Sequence, residues 1–331
     1  MSSKLLPALL LSLVAAAGPA GDPPPLPADT LPKDLAVDAV PPGLGPRPVP
    51  DDNPLTPARA ALGRRLFFDP VLSADRTVAC ASCHRPDRGF AGGDGPPRGL
   101  GGRPLPRRAP TLLNRAYGRA FFWDGRAASL EGQALEPIRN PLEMGSSVEE
   151  AVRRLAADAD YRARFAAAFD DGVTAVNLGK ALAGFERTLL RGGSPIDRFR
   201  KGERGALSKA ELHGLWLYES KGGCWRCHGG PNFTDEQFHN TGVAFGREPA
   251  DEGRQAATGR AADRGKFKTP TLRGAALRGP YMHDGSLTTL EAVVEFYDRG
   301  GRPDPDLDPA VKPLGLTADE RAALVAFLKA L

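Results

Sequence analysis

The chain has 331 residues, 41% of them hydrophobic and 25% charged, with a formal net charge of +4 at pH 7. A surplus this small and this dispersed gives no argument for a partner recognised by bulk electrostatics, and neither nucleic acid nor an anionic membrane is expected. With only 4 cysteines and 5 histidines, any metal or redox chemistry must rest on very few positions.

At the N-terminus, Lys4 precedes an apolar run from Leu5 to Ala17, and the small residues Ala15, Ala17 and Ala20 follow the pattern of a cleavage site. The run is too short to span a bilayer, so residues 1–20 read as a secretory signal peptide, whose loss would leave a charge of +3 and no stable membrane insertion. Residues 21–54 are dense in proline with almost no aromatic content, which predicts a Pro-rich linker or an arm lying on the surface. What remains is long enough for two domains of ordinary size, residues 55–200 and 201–331.

Thr56-Pro57 predicts a helix start, with proline in its first turn. The motif Cys80-Ala81-Ser82-Cys83-His84 follows, and its counterpart Cys224-Trp225-Arg226-Cys227-His228 lies 144 residues on. Together they use every cysteine. Two thiols three residues apart can add to both vinyl groups of one haem, and the next imidazole can then ligate the iron. Two covalent c-type haems are therefore expected, and that attachment chemistry agrees with export to the periplasm. Zinc sites and redox dithiols share only the C-x-x-C part.

Four further helix starts carry a hydroxyl residue with Glu three positions later: Ser147 with Glu150, Ser208 with Glu211, Thr288 with Glu291, and Thr317 with Glu320. Between Thr174 and Leu190, Val176, Leu178, Leu182, Phe185 and Leu189 suggest one apolar stripe, as do Leu324, Phe327, Leu328 and Leu331 near the end. Little alternates as a strand. The expected class is all-α: two cytochrome c-like haem domains with long loops.

A repeat relates the halves. Pro110-Thr111-Leu112, Asp124-Gly125 and Leu130-Glu131 recur as Pro270-Thr271-Leu272, Asp284-Gly285 and Leu290-Glu291, all offset by 160 residues, which suggests internal duplication. The offset aligns Pro137 with Tyr297. Tyr297 falls on the stripe of Leu290, Val293 and Val294, where it reads either as a core tyrosine or as an oxygen ligand to haem iron; proline has no donor to offer.

Beyond the haem motifs, Phe122-Trp123-Asp124-Gly125-Arg126-Ala127, Leu130, Gln133-Ala134, Glu143-Met144-Gly145, Thr269-Pro270-Thr271-Leu272-Arg273 and Pro280-Tyr281-Met282-His283-Asp284-Gly285 stand in order. In these blocks the chain from about Thr56 onward resembles the bacterial dihaem cytochrome c peroxidase superfamily, its MauG-like branch in particular. The resemblance implies that His84 is the proximal ligand of a peroxide-reactive haem and His228 that of an electron-transfer haem. It further implies that Trp123 relays electrons between them, that Gln133 and Glu143 form the distal pair with Pro137 beside them, and that Tyr297 is an axial ligand.

Two departures stand out. Conventional members close the first haem with a distal histidine soon after its motif, yet no histidine lies between His84 and His213, so an open site is expected from the start. The family also implies one interdomain calcium, held partly by an asparagine where this chain has Arg108, with backbone carbonyls near Arg278 and Pro280 as the remaining candidate ligands. The function implied is that of a periplasmic enzyme that uses H2O2 to form a high-valent dihaem state and oxidises a residue, expected to be tryptophan, of a partner protein at long range. Two alternatives stand beside it: a peroxidase reducing H2O2 to water with electrons from a small cytochrome or cupredoxin, and a non-catalytic dihaem electron carrier.

Overall fold

A computed structural model describes residues 37–331 apart from Pro96. The signal peptide expected over residues 1–20, and the linker as far as residue 36, lie outside the described residues. Eleven α-helices occur among them. In chain order they are α1 (Pro57–Phe68), α2 (Cys80–Cys83), α3 (Leu130–Arg139), α4 (Val148–Ala157), α5 (Ala159–Ala168), α6 (Ala175–Thr188), α7 (Pro195–Arg200), α8 (Lys209–Glu219), α9 (Gln255–Thr258), α10 (Leu290–Asp298) and α11 (Ala318–Lys329). The described sheet is one antiparallel pair of two-residue strands, β1 (Phe238–His239) and β2 (Phe267–Lys268). No described helix is long and apolar enough to cross a membrane.

Helix ends follow local chemistry. Thr56 accepts from the Arg59 amide with Pro57 at the first helical position, and Ser208–Glu211 and Thr317–Glu320 form reciprocal capping boxes. The start expected at Thr288 is one residue later: Thr289 accepts from the Ala292 amide, because the helix begins at Leu290. Val176 is a second difference, lying 61% exposed while Leu178, Leu182 and Phe185 are buried. Two positions along a helix amount to about 200°, which puts Val176 on the opposite face.

Two main hydrophobic cores form among the described residues, one from Leu62 to Leu189 and one from Ile196 to Leu331, with a small satellite of Phe121, Leu130 and Ala183. Each is organised by a close helix crossing, α1 on α6 and α8 on α11. A Cβ added at Gly63 would stand 1.8 Å from the Ala181 carbonyl oxygen, and one at Gly214 would stand 2.0 Å from that of Ala323. One turn beyond each glycine an aromatic ring meets another across the crossing: Phe67 with Phe185 and Tyr218 with Phe327, both at 5.1 Å between centroids. Glycine at the contact lets the backbones approach closely enough for those rings to pack.

The 160-residue offset carries into backbone conformation. Phe122 and Met282 both take the left-handed region (φ 65° and 69°), and the isolated bridges Phe121–Ala127 and Tyr281–Leu287 correspond. The Arg108 amide donates to the His283 carbonyl at 2.7 Å, and the Lys268 amide donates to the Trp123 carbonyl at 2.8 Å. These two bonds interchange under the same offset.

The proline-rich arm lies on the surface of both cores. Pro42 accepts from the Gly193 amide at 2.7 Å, Gly45 from the Tyr117 hydroxyl at 2.7 Å, and Gly43 from the fully buried Arg273 guanidinium at 3.0 Å.

Candidate haem sites

A cavity of about 850 Å³ lies between the cores, within the size range of cofactor sites. Its walls include Cys80, Cys83 and His84 together with Gln133, Pro137, Glu143 and Trp123, so the expected first-site residues share one space. The His84 Nδ1 lies 3.1 Å from the Phe90 carbonyl. A carbonyl only accepts, so this contact places the proton on Nδ1 and leaves Nε2 free as a ligand. Burial also pushes the His84 pKa down, favouring the neutral imidazole that binds metal.

Burial dominates the electrostatics of the first thiol pair. All four cysteines are free. Burial, then Glu186 and Cys83, pushes the Cys80 pKa up to about 12, and burial followed by Glu143 takes Cys83 to about 11.

On the distal side, Gln133 and Pro137 are one turn apart on α3. Glu143 follows in the loop, where the Asn140 amide donates to its Oε1 at 2.7 Å and the Leu100 amide donates to its carbonyl at 2.8 Å. Burial raises the Glu143 pKa, with Asn140 and Arg126 opposing.

The second site repeats the proximal arrangement: the His228 Nδ1 lies 3.1 Å from the Phe233 carbonyl, and burial pushes its pKa down to about 4. A smaller cavity of about 290 Å³ beside it is lined by Trp225, Tyr218 and His228. Tyr297 is not among the residues lining that cavity. Its position on α10 matches that of Pro137 on α3, and burial followed by the charges of Cys227 and Cys224 raises its pKa, which puts the phenol within electrostatic range of the second thiol pair.

Several residues were not singled out from sequence. His283, 4% exposed, stacks on Phe267 at 3.6 Å and meets the edge of Trp123 at 6.4 Å. The repeat held the signal, since the 160-residue offset pairs Trp123 with His283. Glu186 lines the first cavity with a buried, unpartnered Oε2, and burial pushes its pKa up to about 8 despite Arg187 and Arg115. His239 lies between the carboxylates of Asp308 (2.6 Å) and Asp235 (2.9 Å) and close to Cys227.

The family model of the di-haem cytochrome c peroxidases matches residues 57–205. The chain is 45% identical over 286 residues to methylamine utilization protein MauG of Methylorubrum extorquens, covering 86% of this chain and 81% of that protein. It belongs to the di-haem cytochrome c peroxidase family. A second family relative, cytochrome c551 peroxidase of Nitrosomonas europaea, is 39% identical over 290 residues, covering 86% of this chain and 83% of its own. Among solved structures, a MauG-like protein associated with microbial copper homeostasis superposes with a TM-score of 0.82 at 36% identity, covering 88% of this chain and 94% of that one. Membership makes this chain a peroxidase-family oxidoreductase whose cofactors are haems and whose small substrate is H2O2.

Proposed function

We propose that this is a periplasmic MauG-like dihaem enzyme, made with a signal peptide over residues 1–20, that uses H2O2 to oxidise a residue of a partner protein, with tryptophan as the favoured target. One observation carries the reading: Gln133, Pro137 and Glu143 share a single cavity with Cys80, Cys83 and His84. Bound at both C-x-x-C-H motifs, haem iron would supply peroxide binding and one-electron redox chemistry. The chain's own side chains then divide the work.

Glu143 holds and moves the proton. Its raised pKa keeps a protonated fraction available, and with Oε1 fixed by Asn140 the exchange falls to Oε2. Gln133 orients the bound oxidant with its amide. Pro137 leaves its helix position without an iron ligand, whereas Tyr297 at the matching place would close the second iron. Trp123, its indole N–H held by the Arg108 carbonyl at 2.8 Å, and His283 form an aromatic bridge for electrons between the sites. The 160-residue correspondence supports an origin by duplication, with domains read from the sequence as 55–200 and 201–331, although Ile196 and Phe199 already pack into the second core.

Rapid mixing of the fully ferric protein with stoichiometric peroxide tests this. The haem absorption should change without prior reduction, and Glu143→Gln should slow the change by about 10² to 10⁴. A reaction that waits for one haem to be reduced would replace this reading with a conventional peroxidase, and simple bleaching would leave only a carrier.

The identity to a cytochrome c551 peroxidase supports a second reading, reduction of H2O2 to water with electrons from a small cytochrome or cupredoxin. Steady turnover of such a donor, with no mass change in any co-purifying partner protein, would select it.

A further inference from the structure

Arg108 is 6% exposed, and the described hydrogen bonds of its guanidinium go only to backbone oxygens. Its Nη1 donates to Arg278 at 3.0 Å; its Nη2 donates to Gly92 at 2.6 Å and Gly93 at 3.0 Å, with Gly279 at 3.5 Å. Two of these carbonyls belong to the loop after the first haem motif and two to the turn before Pro280. Buried carbonyl oxygens that converge from separate segments need donors or a cation among them, and such an oxygen set is one that a hard cation takes. Here the cation is already supplied.

The pocket is shaped to that side chain. A Cβ added at Gly285, whose φ is +75°, would lie 2.8 Å from the Arg108 Cδ, and one at Gly92 would lie 3.3 Å from Nη2. Arg278 is half-buried, and desolvation followed by the neighbouring charges of Arg108 and Arg191 pushes its pKa down to about 10. A divalent ion entering here would meet several positive charges at close range. Arg108 also sits where the sequence pattern has asparagine among calcium ligands, so the residues present do not fit that ion.

The consequence reaches the chemistry through the same residue's backbone. The Arg108 carbonyl accepts the Trp123 indole N–H at 2.8 Å, and its amide donates to the His283 carbonyl at 2.7 Å. Clamping Arg108 therefore holds the Trp123 ring directly and the backbone that carries the His283 ring.

We infer that the Arg108 guanidinium is a built-in cation that occupies the interdomain position of calcium and holds Trp123 and His283 in register without a metal. This goes beyond the proposed function, since it applies to either reading of the physiological reductant. The test uses the haem-loaded protein in EGTA or in millimolar calcium, followed by elemental analysis, thermal unfolding and ferric haem EPR. Wild type should carry less than stoichiometric calcium and give the same melting temperature and EPR spectrum in both buffers. Arg108→Asn should melt lower by roughly 5 °C or more in EGTA. Calcium should restore most of that loss, with about one ion bound per chain. Arg108→Lys, which keeps the charge but not the fork, should fall between them and bind no calcium. One tightly held calcium in wild type whose removal lowers the melting temperature or alters the haem spectrum would overturn the inference. So would an Arg108→Asn variant that is neither destabilised nor calcium-binding. If that variant does not fold, the wild-type and Arg108→Lys measurements decide.

Discussion

Arg115 and Glu236 join the two cores through a bidentate ion pair, 2.7 and 3.0 Å, in which both side chains are 7% exposed. Replacing Arg115 with Met strands the carboxylate, leaving it the Arg119 amide at 3.3 Å and the Lys268 ammonium at 3.8 Å. Breaking one side of a buried pair costs about 3–5 kcal/mol, and Lys268 should hold the loss near the lower figure. Glu236 and Lys268 titrate in ways that look inconsistent for partners. Burial pushes the carboxyl pKa up but the bonds from Arg115 override it and leave it lowered, whereas burial and then the charge of Arg115 push the Lys268 pKa down to about 7. The carboxylate is already committed to Arg115, so the ammonium is poorly compensated. Because the folded pKa of Lys268 lies below its ordinary 10.5, its contribution to stability is complete above about pH 10.5 and is lost as pH falls through 7. Stability should therefore rise between those limits, and less steeply in Arg115→Met. Urea unfolding of the haem-loaded protein, followed by circular dichroism and haem absorbance, measures both effects. Arg115→Met/Glu236→Gln should recover at least half of the single-variant loss. Additive losses, or a single-variant cost below about 1 kcal/mol, would refute the argument.

Ferric EPR should show one high-spin and one low-spin haem, and Tyr297→Phe should change the low-spin signal while haem content by pyridine haemochrome stays constant; an unchanged spectrum makes Tyr297 a packing residue. Glu186, with its pKa raised to about 8, favours the fold fully below its ordinary 4.5 and loses that contribution as pH rises through 8. Glu186→Gln should flatten the decline in urea midpoint over that window, and an unaltered profile would disprove the assignment. Gly214→Ala gains up to about 1 kcal/mol of helix propensity, yet its Cβ would collide with the Ala323 carbonyl, so the unfolding free energy from urea titration should fall by a net of about 1–3 kcal/mol or more.

Covalent sequence logic made the two haem motifs and most helix starts readable, because attachment and capping are decided within a few residues. The Thr288–Thr289 ambiguity and the wrong face for Val176 arose where neighbouring residues offered equivalent local chemistry or where the stripe was drawn too wide. The Arg115–Glu236 pair joins residues 121 positions apart, and charge alone did not distinguish it among 44 basic residues; Arg108 stood out in the sequence as a replacement for asparagine, but its carbonyl partners at Gly92 and Gly93 did not. The Trp123–His283 contact is intermediate. Its two members were aligned by the repeat, but only the tertiary fold brings the rings together.

The arm over residues 37–54 has a bearing on the order of assembly. It is synthesised before either core, yet its bond from Arg273 to Gly43 closes a ring of 230 residues. Tyr117 and Gly193 can hold it earlier, but the Arg273 anchor exists only when the last third of the chain has folded, so its attachment is completed late. Closing so large a ring costs only logarithmically more than closing a small one. Once made, it ties the arm to the second core while the bonds from Gly193 and Tyr117 tie it elsewhere, so the arm acts as a reversible fastener with several points of attachment.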